Sequence, residues 1–121
     1  MKSVAVRCLL SAVLILAACK SEDKTTTGGG NPDRGRQLVD QYGCTACHII
    51  PDVKGPRGMV GPPLEHFGSR NLIAGKIPNT PDNLMKWLQN PQAFDPANAM
   101  PNLGITPADS KDLAAFLYML K

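Results

Sequence analysis

The chain has 121 residues, 43% of them hydrophobic and 19% charged, which excludes both a disordered polar tail and a multi-span membrane protein. Aromatic residues make up only 5%, while glycine and proline contribute 11 each, so the chain is rich in loops and poor in large core side chains. A small domain of this kind is marginal unless disulfides, a metal or a large cofactor help to fill its centre.

In chain order, the first feature is a leader. Lys2 and Arg7 precede an apolar run from Cys8 to Ala18 that is interrupted only by Ser11. That run is too short to cross about 30 Å of hydrocarbon as a helix. A basic start, a short apolar stretch and small residues form an export signal. Its end, Leu16-Ala17-Ala18-Cys19, resembles the lipobox of bacterial lipoproteins. The resemblance implies removal of residues 1–18 and acylation of Cys19, with an ordinary signal peptide cut after Ala18 as the alternative. Acyl chains in pairs anchor a protein stably. Of the 13 Lys and Arg, loss of Lys2 and Arg7 leaves 11 against 10 acidic residues. No basic field remains for nucleic acid.

Residues 19–31 then read as a lipid-anchored, flexible tether, because Ser21–Asn31 is polar, rich in Thr and Gly, and without periodicity. The folded domain is expected over 32–121. Its first predicted helix runs from Pro32 to Tyr42, with Asn31 as N-cap and Gly43 at its end. A short second helix is predicted over Asn71–Ala74, stopping at Gly75. A third starts behind Thr80 and Pro81 and ends before Pro91, with Leu84, Trp87 and Leu88 on one face. The fourth begins at Thr106-Pro107-Ala108-Asp109, and Leu113, Phe116, Leu117 and Leu120 follow at helical spacing. No alternating strand pattern stands out. The expected fold is all-α, with long loops.

The cysteines narrow the chemistry. With Cys8 in the leader and Cys19 acylated, Cys44 and Cys47 remain, directly followed by His48. Cys44-Thr45-Ala46-Cys47-His48 is the attachment pattern of a c-type haem. Two thiols at this spacing can add to the two vinyl groups of one porphyrin edge, and the next histidine can place an imidazole nitrogen on the iron. A redox C-x-x-C belongs in a βαβ setting that this chain lacks. A zinc site needs a fourth ligand, for which only His66 is available, and a plain disulfide leaves His48 unexplained.

Opposite His48, the candidate axial ligands are Met59, His66, Met85, Met100 and Met119. Met85 and Met119 fall in helices. Met59 lies only 11 residues past His48, in a loop needed to pass the haem edge, and stays the second choice. Met100 lies in the loop Asn98–Gly104, which Pro101 stiffens, 52 residues from His48. His/Met ligation fills both axial positions and raises the reduction potential, which suits electron transfer.

From Asn31 to Lys121 these residues resemble class I cytochromes c. Gly35, Leu38 and Val39 resemble the N-terminal helix that crosses the C-terminal helix near Phe116, although most members carry an aromatic where Val39 stands. Gly61-Pro62-Pro63-Leu64 resembles the loop whose proline carbonyl accepts the Nδ1–H of the haem histidine, here Pro62 and His48. The stretches VGPPLEHFGSR, AGKIPNTPDNLMKWLQNPQ and AMPNLGIT are most similar to the cytochrome c domain of bacterial caa3-type oxidase subunit II and to small lipoprotein relatives. That resemblance implies Arg70 and Trp87, and more weakly His66 and Asn79, near the haem propionates; Trp87 equally fits a core position. It also implies one covalent haem c and a membrane-tethered, non-enzymatic electron carrier on the periplasmic side of a bacterial membrane. The implied partners are a quinol-oxidising complex and a terminal oxidase or reductase, with no nucleic acid and no small-molecule substrate. A fixed subunit of a larger complex, or a gas-binding sensor or enzyme with an open iron site, are the rival readings.

Overall fold

The computed structural model describes residues 28–121; the leader and Cys19 lie outside them. Three helices carry the fold: α1 over Pro32–Gln41, α2 over Pro81–Gln89 and α3 over Pro107–Met119. Each starts with a proline at its first turn and a capping side chain before it. Asn31 Oδ1 accepts from the backbone N–H groups of Asp33 and Arg34 at 3.0 and 3.1 Å. The Thr80 and Thr106 hydroxyls accept from Asn83 and Asp109 at 3.3 and 3.1 Å. These bonds satisfy donors that a helix start leaves unpaired, and each cap is worth about 1 kcal/mol. Short 3-10 turns occupy Cys44–Ala46, Phe67–Ser69 and Pro91–Ala93. Among the described residues, no helix is long and apolar enough to cross a membrane.

The main packing event is the crossing of α1 on α3. Gly35 makes it possible: a Cβ there would overlap the Asp112 backbone carbonyl and lie 2.8 Å from Phe116 Cβ. Val39 is buried with Leu38, Leu113, Phe116 and Leu117. Leu84, Trp87 and Leu88 of α2 extend this core. An ion-pair clasp closes the crossing at its edge. The Arg34 guanidinium reaches Asp109 and Asp112, and the Tyr42 hydroxyl donates to Asp109 Oδ2 at 2.7 Å. Asn31 N–H donates to Asp112 at 2.7 Å, and Gly30 lies against the Lys111 carbonyl. Packing on α3 thus begins at Gly30, within the segment that composition alone assigns to the tether.

One predicted helix is absent. Residues Asn71–Ala74 do not form a helical turn; Leu72–Ile73 (β1) pairs antiparallel with Ile77–Pro78 (β2), in register Leu72 with Pro78 and Ile73 with Ile77. The turn between them has Ile73 C=O accepting from Lys76 N–H at 3.0 Å, with φ of 51° at Ala74 and 69° at Gly75. Positive φ at both central residues marks the mirror-image turn that matches strand twist. Gly75 takes this conformation freely, whereas Ala74 is held there by its neighbours.

Candidate functional site

The site is assembled from one end of α1 outwards. Gly43, at φ 68°, ends the helix and turns the chain into the Cys44–Ala46 turn, where the N–H groups of Cys47 and His48 both donate to Cys44 C=O. The following loop is stitched to that turn: Gly58 N–H donates to Thr45 C=O at 3.0 Å and Gly61 N–H to Cys47 C=O at 2.8 Å. The imidazole of His48 lies flat against Gly61, where a Cβ would sit 2.6 Å from Nδ1. Its Nδ1 is 2.7 Å from Pro62 O. A carbonyl can only accept, so Nδ1 carries the proton and Nε2 keeps its lone pair for a metal.

A cavity of about 890 Å³ opens at this point. Cys44, Cys47 and His48 line one side, and Met100 reaches it from the loop between α2 and α3. Pro62, Arg70 and Trp87 also line it, whereas His66 and Asn79 do not. Met100 is held by its backbone: its N–H takes Asn98 Oδ1 at 2.8 Å, and its carbonyl accepts from Gln92 Nε2 at 2.6 Å. An apolar recess of about 70 Å³ shares His48, Met100 and Trp87 and is walled by Val39, Leu84, Leu113 and Leu117, the same residues that join the helices.

The remaining candidates fall elsewhere. Met59 is 82% exposed and does not line the cavity. Met85 packs half-buried at the core edge, and Met119 is exposed on α3. Exposed His66, at φ 56°, starts the Phe67–Ser69 turn. Asn79 is spent on structure: its Nδ2 donates to the Phe67 and Arg70 carbonyls, and its Oδ1 accepts from the Tyr118 hydroxyl at 2.8 Å. Arg70, besides lining the cavity, donates to the Pro63 and Glu65 carbonyls at 2.6 and 2.8 Å and lies 5.8 Å from the centre of the Phe67 ring. It braces the loop that presents the Pro62 carbonyl. Sequence reasoning missed Tyr42, Leu64, Phe67 and Leu103 as cavity walls. Periodicity could not find them, since all belong to loops and turns, Tyr42 as the cap just past the end of α1.

The residues fit a c-type haem. Two half-buried thiols, a nitrogen with a free lone pair and a thioether share one largely apolar space of ordinary ligand-pocket size. Trp87 is 6% exposed and its indole N–H has no acceptor among the described residues, which leaves a donor for an anionic group. Burial pushes the Cys44 thiol up to about 11, so in the free chain it is protonated and neutral at this apolar wall.

Comparison with known proteins agrees with this geometry. The family model for cytochrome c matches residues 32–121. Cytochrome c oxidase subunit 2 of Alkalihalophilus pseudofirmus is 34% identical over 90 residues, covering 74% of this chain and 25% of that protein. Its counterpart in Bacillus subtilis is 26% identical over 98 residues, covering 79% of this chain and 28% of that protein. Cytochrome c2 of Rhodopila globiformis is 34% identical over 105 residues, covering 76% of this chain and 95% of that protein. The chain therefore spans only about a quarter of the oxidase subunits it matches and nearly all of the cytochrome c2. With three α-helices among the described residues, long loops and the covalent-haem motif, the chain belongs to the cytochrome c family, with the class I fold, and its chemistry is electron transfer.

Proposed function

We propose that this protein is a monohaem electron carrier, tethered by a lipid on Cys19 to the outer face of a bacterial membrane. It takes single electrons from a quinol-oxidising complex and passes them to a terminal oxidase or reductase. In this reading Cys44 and Cys47 would hold a haem through thioether links, and His48 and Met100 would supply the nitrogen and the sulfur that bind its iron. When bound, the haem supplies an iron that cycles between ferric and ferrous.

The protein's part is to hold that iron at a fixed potential with little rearrangement. Pro62 O fixes the tautomer and ring plane of His48 and makes the imidazole a stronger donor. Met100, in a loop braced by Asn98 and Gln92, supplies a weak donor that favours the ferrous state. The wall of Leu, Ile, Phe and Trp side chains keeps water away. Trp87 and Arg70, both in the cavity wall, would be the groups toward the haem propionates. Residues 19–31 act as the tether, restricting the search for partners to a layer near the membrane.

The convergence of Cys44, Cys47, His48 and Met100 on one cavity carries this reading. A second reading is a fixed haem-bearing subunit, supported by the similarity to oxidase subunit 2. Co-purification with membrane subunits decides between the two. The axial assignment is tested by optical spectra of the haem-loaded protein and of Met100→Ala. The weak near-infrared sulfur-to-ferric band is expected in the first and lost in the second. A wild type that lacks the band and binds carbon monoxide readily when reduced refutes the carrier reading and favours an open iron site.

A further inference from the structure

The loop that carries Met100 has no regular structure of its own. From the Pro91–Ala93 turn to the start of α3, the chain forms neither helix nor strand. Pro101, just after the methionine, has no N–H to give. Two side chains hold the peptide groups of Met100 itself. One is local: Asn98 Oδ1 accepts from Met100 N–H at 2.8 Å, closing an Asx turn. The other comes from outside the loop. Gln92 Nε2 donates to Met100 C=O at 2.6 Å and to Asn98 C=O at 3.3 Å. Both partners are carbonyls, which only accept, so the amide must turn its NH2 and not its oxygen toward them. Among the described residues, no other side chain from beyond residues 95–104 bonds to the backbone of that segment.

Gln92 is fixed at its base. Pro91 before it is fully buried, and Pro91 C=O accepts from the N–H groups of Phe94 and Asp95, both at 3.1 Å. The Phe94 ring lies 6.2 Å from that of Trp87, in the cavity wall. Gln92 does not line the cavity, so it acts there only through the backbone of Met100.

We propose that Gln92 is the positioning residue for the Met100 sulfur. Its amide ties the loop to the end of α2 and so decides whether the iron position opposite His48 is closed by the thioether or open to an outside ligand. The proposal rests on the reading of Met100 as an iron ligand and adds what keeps it there. A thioether is uncharged and a weak donor, so its hold depends on how freely the loop moves. An untied loop loses conformational entropy whenever the sulfur binds, whereas a tied loop has lost it already. Without the amide, small nitrogen or carbon donors compete better with Met100.

The experiment titrates the oxidised, haem-loaded protein with imidazole and follows loss of the near-infrared sulfur-to-ferric band. Gln92→Leu removes the donor. Gln92→Glu keeps the shape but sets an acceptor against two carbonyls. Imidazole is expected to displace the sulfur at about tenfold lower concentration in Gln92→Leu, the equivalent of one lost hydrogen bond, and at lower concentration still in Gln92→Glu. Asn31→Ala removes the cap of α1, lowers overall stability and touches nothing in the loop, so its titration is expected to match wild type. In the reduced wild type, NMR is expected to show the Gln92 side-chain amide exchanging with solvent about tenfold more slowly than the amides of exposed Gln37 and Gln41. Gln92 variants that titrate like wild type overturn the positioning role and leave Met100 as ligand. So does an Asn31→Ala protein that shifts as far as they do, which would make the effect one of general stability. Variants that both fail to take up haem overturn it too, since a tie confined to this loop leaves the Cys44–His48 attachment untouched. A wild type without the band overturns the ligand assignment itself, and the proposal with it.

Discussion

Replacing Gly35 by alanine sets two effects of opposite sign against each other. Alanine is the better helix former, and in an open helix interior the exchange gains about 1 kcal/mol. At Gly35 the new methyl has no room. It would overlap the Asp112 carbonyl and stand 2.8 Å from Phe116 Cβ, well inside the ordinary carbon–carbon separation of about 3.5–4.0 Å. A flexible side-chain tip could move aside, but the nearest obstacle is backbone of α3. The helices must therefore separate, which loosens Leu38, Val39, Leu113 and Phe116 and strains the Arg34 clasp. Overpacking of this kind costs about 3 kcal/mol, the upper part of its usual range. The net expectation is a loss of about 2 kcal/mol, or a fall in Tm of roughly 10 °C for a domain of this size. Guanidinium unfolding of the haem-loaded protein, followed at far-ultraviolet and haem wavelengths together, measures it. A variant as stable as wild type would show that the crossing yields without cost, and the argument from close approach would fail.

Asp109 is held below the usual carboxylate range by hydrogen bonds from Tyr42 and then Arg34, so its contribution is fully present above the ordinary unfolded value and is lost as pH falls through the lowered folded one. Asp109→Asn should be less stable than wild type at neutral pH, with the gap closing in acid, and a gap that stays constant in acid denaturation would refute the clasp. Ala74 at φ 51° pays for a conformation that glycine takes freely, so Ala74→Gly should raise stability by up to about 1 kcal/mol in thermal unfolding, whereas an equal loss would mean that the turn is relaxed.

Chemistry that depends on neighbours along the chain was legible in the sequence. Cys44, Cys47 and His48 form a contiguous pattern. The three helices announce themselves by Asn31, Thr80 and Thr106, each followed by proline, because a capping bond is made within three residues. The amphipathic spacing of α2 and α3 is likewise local. The hairpin at Leu72–Pro78 was not legible: its strands are two residues each, too short for a period, and Ala74 is not a residue that signals positive φ. Only the folded chain shows that Met100, and none of the other methionines described, reaches the cavity that His48 lines, because that depends on where the fold sets the loop from α2 to α3 relative to the Cys44–His48 segment and the Gly61–Leu64 loop. The bond between Asn79 and the Tyr118 hydroxyl has the same origin: it joins residues 39 apart in sequence, a contact that no local pattern announces.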